Sequence, residues 1–112
     1  MIGGAARVLV CSQPQDMRRS FDRLAEVVRQ LGEDPLSGSM YVFVGRRPTR
    51  IKVLWWDGSG LCLLYKRLNR AFFRMPAAAS TNDATQIDMA ALRELMAGVA
   101  QEPKMIRGRK IH

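Results

Sequence analysis

Asp57-Gly58-Ser59-Gly60 joins two strongly apolar runs, Ile51–Trp56 and Leu61–Leu68. A short Gly-rich link of this kind signals a β-hairpin, because glycine supplies the backbone conformations that tight turns demand. The hairpin belongs to a longer stretch, Met40 to Met75. Here the runs Met40–Val44, Ile51–Trp56, Leu61–Leu68 and Ala71–Met75 alternate with the breaks Gly45–Arg50 and Asn69. Pro48 cannot donate to a sheet ladder and suits the first break. Consecutive strands with short links predict an antiparallel meander, to which Arg7–Cys11 (RVLVC) can add a strand.

Two segments outside this stretch read as helices. Met17, Phe21, Leu24, Ala25, Val28 and Leu31 recur at spacings of three and four, one apolar face over about residues 17–31. Asp16 is placed to cap its first amides, and Gly32 to end it. A weaker C-terminal helix starts at Asp88 and carries Met89, Leu92, Leu95, Met96 and Val99 toward Gly98. Between sheet and helix, Ala77–Gln86 is small and polar and reads as a surface connection. The fold class expected is therefore α+β. An antiparallel β-meander of three to five strands would carry the 17–31 helix on one face. Residues 1–103 would form one domain, followed by a basic tail at 104–112.

The 112 residues carry a net charge of +8, and it is strongly segregated. Residues 1–39 balance, and residues 76–103 are acidic. Met40–Met75 contains Arg46, Arg47, Arg50, Lys52, Lys66, Arg67, Arg70 and Arg74 against the single acid Asp57. The tail adds Lys104, Arg107, Arg109 and Lys110 with no acid. In a meander the turn before the second strand and the end of the third lie at the same edge, so the eight sheet cations are expected to share one rim. Charge segregation and arginine's planar fork both suit a polyanion such as a nucleic acid. A solvated rim that serves solubility is the plainer alternative.

The chemistry-bearing residues are few. The chain has one histidine, His112, which leaves no Ser-His-Asp or Cys-His set. Cys11 and Cys62 lie in apolar runs and, with one histidine, cannot supply four zinc ligands. Glu102-Pro103-Lys104 spells a Glu-x-Lys nuclease pattern, but beside a basic tail and not on a strand. No catalytic residue, metal or cofactor is expected. No apolar run exceeds five residues, which excludes a membrane-spanning helix and favours a cytoplasmic location. Tyr41, Trp55 and Trp56 are interaction candidates. Adjacent tryptophans on a strand face opposite ways, so at most one lies under the first helix. The other fits a second core layer, a subunit interface or a base stack.

Asp16-Met17-Arg18-Arg19-Ser20-Phe21, Asp34-Pro35 with Ser37-Gly38, and the run VFVGRRPTRIKVLWWDGSGLCLLYKRL resemble TnpB-type accessory proteins of bacterial insertion sequences of the sixty-six family. These are second open reading frame products, distinct from the RNA-guided nucleases that share the name. The resemblance runs from about Val8 to Pro76. It implies a non-catalytic accessory protein of transposition, acting beside a separate transposase. With the charge pattern, it implies contact with DNA at transposon ends or target. The alternative is an adaptor that docks on the transposase or another accessory subunit without touching DNA. A homodimer is a further partner to consider.

Overall fold

The computed structural model describes residues 7–76 and 83–100, and the backbone alone of 105–106 and 109–110. The elements run β1 (Val8–Cys11), α1 (Phe21–Gln30), β2 (Met40–Val44), β3 (Arg50–Trp56), β4 (Leu61–Arg67), β5 (Ala71–Phe72), β6 (Ala84–Ile87), α2 (Met89–Ala97) and β7 (Val99–Ala100). Two-residue strands β8 (Met105–Ile106) and β9 (Arg109–Lys110) pair with each other in the tail.

The fold is α+β, around a five-stranded sheet in the order β4-β3-β2-β1-β6. Its β2-β3-β4 portion is the expected antiparallel meander, with Val42 opposite Val53 and Trp55 opposite Cys62. The sheet as a whole is mixed, because β1 and β2 pair in parallel. The reason is the helix between them. A chain that leaves β1, crosses one face as α1 and returns must enter the neighbouring strand in the same direction.

Two further expectations are corrected. Ala84–Ile87 begins inside the predicted surface connection Ala77–Gln86 and runs one residue past it, yet it pairs antiparallel with β1, Val8 opposite Ile87 and Cys11 opposite Ala84. Its local composition is weak for a strand, and the open side of β1 supplies the context that decides it. Ala71–Phe72 does not extend the main sheet but pairs with β7 in a two-stranded ribbon.

Both faces of the sheet are covered, so its central strands are apolar on both sides. Leu9, Tyr41, Phe43 and Leu54 pack with Leu24, Ala25, Val27 and Val28 of α1. On the opposite face Val10, Val42, Val44, Ile51 and Val53 pack with Phe73 and with Leu92 and Leu95 of α2. Each such side chain, fully buried, contributes roughly 1.5–3 kcal/mol relative to remaining in water. The two cysteines are free. Cys11 joins the α1 layer, while Cys62 sits opposite Trp55 on β4, with two strands between it and the strand that carries Cys11.

The helix ends show where local chemistry was misjudged. α1 begins at Phe21, four residues after the expected Met17, with Ser20 at its N-cap. Asp16 caps nothing on α1. It closes a separate turn by accepting from the Arg18 amide at 2.9 Å. Phe21 stays exposed, and Val27 takes its place in the core. At the other end Gly32, at φ +80°, lets its own amide reach Arg29 O while the Glu33 amide reaches Val28 O. That pair of bonds satisfies carbonyls α1 would otherwise leave open. Asp88 does cap α2, accepting from the Ala91 amide at 2.7 Å.

Candidate nucleic-acid interface

The site forms where β1 and β2 end, β3 begins and β4 ends. Two loops meet there, residues 12–20 after β1 and residues 45–49 after β2. They are stitched together: the Gln15 amide donates to Val44 O at 2.9 Å, in a parallel bridge with Gly45. Gly45 is buried against the Met17 side chain, and a Cβ at this position would lie 2.8 Å from Met17 Cγ and 3.1 Å from Arg47 O. Glycine is thus required for close approach.

Lys52 is the second stitch. It is 5% exposed, and its ammonium donates to Arg19 O at 2.6 Å while lying 4.7 Å from the centre of the Tyr65 ring. Burial pushes its pKa below the usual lysine value. The Gln15 side chain adds a third stitch, accepting from Arg19 Nη1 at 3.0 Å and donating to Gln13 O at 3.2 Å.

On this frame the arginines gather. Arg46, Arg47 and Arg50 line an open concavity of about 270 Å³ together with Gln15, Asp16, Met17, Arg18 and Gly45. Arg50 is the direct cross-strand partner of Arg67. The segment after β4 is tied to the same turn, with the Leu68 amide on Thr49 O and the Phe73 amide on Pro48 O. That brings Arg70 and Arg74 alongside. All six of these arginines are exposed, and none has an ion-pair partner among the described residues. Arg18 differs. Its Nε and Nη2 grip Asp16 at 2.7–3.1 Å, holding that carboxyl well below the usual range. The pair leaves Arg18 largely neutralised at the mouth of the concavity.

A family model of IS66 Orf2 like proteins matches residues 6–105. The chain belongs to this family. Similar proteins include two from Sinorhizobium fredii (strain NBRC 101917 / NGR234), both described as uncharacterized. The chain is 40% identical to y4hO over 98 residues, 87% of this chain and 84% of that protein. It is 38% identical to y4jC over 71 residues, 62% of this chain and 61% of that protein. No solved structure matches the chain. Membership associates this Orf2-like chain with transposition, as an accessory protein of an insertion sequence and not as a member of a known catalytic family. The match spans β1 to α2, and so takes in every element that builds the arginine cluster.

The structure sorts the residues singled out in this Orf2-like sequence. Arg46, Arg47 and Arg50 line one concavity, Arg67 pairs with Arg50, and Arg70 and Arg74 lie on the segment tied to the same turn. Lys52 does not join them: it points inward, because a lysine in the middle of β3 on the α1 face is covered by the 12–20 loop. Lys66 faces the other way and donates to Met96 O at the end of α2, at 2.8 Å. Lys104 and Arg107 lie outside the described residues, and Arg109 and Lys110 are placed by backbone only. Glu102 of the Glu-x-Lys pattern is also outside them.

Tyr41 is corrected to a core residue. It is 1% exposed, and its hydroxyl donates to Asp34 O at 2.8 Å with Ser37 Oγ at 2.9 Å. The tryptophans occupy opposite faces at the far end of β3 from Arg50. Trp55 lies half-buried on the α2 side, in an apolar groove with Met40, Val53, Leu64, Leu92 and Met96. Asp57 is a turn residue, its Oδ1 accepting from the Ser59 and Gly60 amides at 2.8 and 2.9 Å. These bonds hold its carboxyl well below the usual range. Among the described residues, no three His, Cys, Asp or Glu side chains form a group able to hold a metal, and no helix is long and apolar enough to cross a membrane. Sequence inspection missed Gln15, Met17 and Gly45 as the frame of the site, and it missed Tyr65. The only signal for Tyr65 was its place at the end of an apolar run, directly before Lys66-Arg67.

Proposed function

We propose that this chain is a non-catalytic accessory protein of transposition that binds DNA through the arginine-rich end of its sheet, aided by the basic tail. The observation that carries the proposal is the pairing of Arg50 with Arg67. Like charges directly opposite on adjacent strands are destabilising. Here they stand beside Arg46, Arg47, Arg70 and Arg74, with no acid of the described residues paired to them. A cluster that disfavours its own fold is readily explained by an anionic ligand that offsets the repulsion. Phosphate contacts of this type position a protein on DNA without reading sequence.

Titration of fluorescently labelled duplex DNA across a salt series tests the proposal. Engagement of about four to eight phosphates gives a log K against log salt slope of about −4 to −7. Absence of binding to duplex and single-stranded DNA at low salt would remove the proposal.

The adaptor reading rests on a different feature, the apolar groove around Trp55, with Lys66 and Arg93 at its margin. In that role the chain docks on the transposase or another accessory subunit, or on a second copy of itself. Co-purification with the transposase that survives nuclease treatment supports it, whereas loss of the complex on nuclease treatment supports DNA. Either role places the protein in the cytoplasm with the bacterial DNA.

A further inference from the structure

Tyr65 stands beside the arginine cluster and has no role in the core. It is 50% exposed, although β4 is apolar for most of its length. Side chains two apart on a strand share a face, so Tyr65 and Arg67 project together. Their cross-strand partners are Lys52 and Arg50. The four side chains thus form a block on the α1 side of the sheet, with an aromatic ring next to two guanidinium groups.

The ring is held in place. The Lys52 ammonium lies against it at 4.7 Å and is itself fixed by Arg19 O. A cation so placed attracts the ring's π-face and backs it on that side. Half of the residue is open to solvent. Among the described residues β4 is also the last strand of its sheet. No strand among them pairs with its outer edge, where an extended polymer could lie.

We infer that Tyr65, Arg67 and Arg50 form a subsite for single-stranded DNA. An unpaired base stacks on the open face of the Tyr65 ring, and the adjoining phosphate lies between the two guanidiniums. This rests on the DNA reading above and narrows it to a strand with unpaired bases. Aromatic stacking next to a basic track is the chemistry by which single strands are held without sequence preference. A duplex can satisfy the arginines but keeps its base faces stacked on one another, so it leaves Tyr65 unused.

Fluorescence anisotropy with labelled oligo-dT, a duplex of equal length and oligo-rU tests the subsite on the full chain. The wild type is expected to prefer oligo-dT to duplex, and to bind oligo-dT at least as tightly as oligo-rU. Tyr65→Leu, which retains apolar bulk without a π-face, should weaken oligo-dT binding by about five- to a hundredfold. It should leave duplex binding unchanged, and Tyr65→Phe should restore oligo-dT affinity. Unchanged oligo-dT binding in Tyr65→Leu overturns the subsite and leaves the DNA reading standing. Tighter binding of oligo-rU than of oligo-dT overturns the assignment to DNA. Failure of every nucleic acid to bind removes the DNA reading and the subsite with it.

Discussion

Replacing Lys52 by Met separates two roles that the sequence could not distinguish. A lysine in a basic stretch is expected to meet phosphate. The structure instead turns it inward to tie β3 to the loop ahead of α1, through the 2.6 Å bond to Arg19 O and the contact with Tyr65. A hydrogen bond from a charged donor contributes roughly 1.5–3 kcal/mol. A cation on an aromatic ring adds about 0.5–1 kcal/mol when partly exposed. Against these stands the cost of burying the ammonium, visible in its lowered pKa. Methionine keeps the stem's apolar contacts and removes that cost. The two sum to about 2–4 kcal/mol, and relief of the burial cost brings the net loss down to about 1–2 kcal/mol. For a domain near this size it lowers the thermal midpoint by roughly 4–8 °C. Urea denaturation measures the stability, and a duplex titration across salt measures the charge contact. The structural account predicts a lower urea midpoint and an unchanged salt slope. A slope shallower by about one with unaltered stability would refute it, since that is the signature of a lost phosphate contact.

Other parts of the molecule give sharper or simpler outcomes. Gly45→Ala drives a Cβ into Met17 Cγ and Arg47 O, so it should cost about 1–3 kcal/mol in urea denaturation, and Met17→Ala should recover part of the loss. Leu24→Ala opens the fully buried α1 layer and should cost about 2–5 kcal/mol by the same measurement. Asp57 has a folded pKa below its unfolded value, so its contribution is present above the ordinary carboxylate pKa and fades as pH falls through the folded value. Asp57→Ala should therefore lower the thermal midpoint at neutral pH and flatten the acid limb of the stability curve. A variant with an unchanged acid limb counts against the turn role.

The legible parts of the fold were those where local chemistry and final structure agree. The Asp57–Gly60 turn, the three meander strands, the apolar face around Leu24 and Val28, and the Asp88 cap all follow from patterns within a few residues. The parallel β1–β2 pair does not, because strand direction depends on where α1 crosses, and no short-range pattern records that. β6 was hidden for a related reason: Ala84-Thr85-Gln86-Ile87 becomes a strand only because β1 offers an unpaired edge. The 16–20 segment misled because Asp16 looks like a cap. The carboxylate is taken by Arg18 instead, and the helix starts after Ser20.

The candidate site was half legible. Charge segregation pointed to the arginines of the 45–50 turn and to those beyond β4, and pairing of Arg50 with Arg67 brings them together. What charge alone hides is direction. Lys52 and Lys66 lie in the same basic stretch, but strand alternation sends them to opposite faces, each to a backbone carbonyl. The aromatic candidates were Tyr41, Trp55 and Trp56, and charge segregation did not mark Tyr65. Position favours Tyr65, because it shares a face with Arg67.

The central claim is that the Arg50–Arg67 pair exists for a phosphate and not for the fold. The double variant Arg50→Ala/Arg67→Ala tests it most directly, with duplex binding followed across salt and urea stability measured on the same preparation. The account predicts weaker binding, a salt slope shallower by about two, and stability equal to or above that of the wild type. An unchanged slope accompanied by a loss of stability would contradict it.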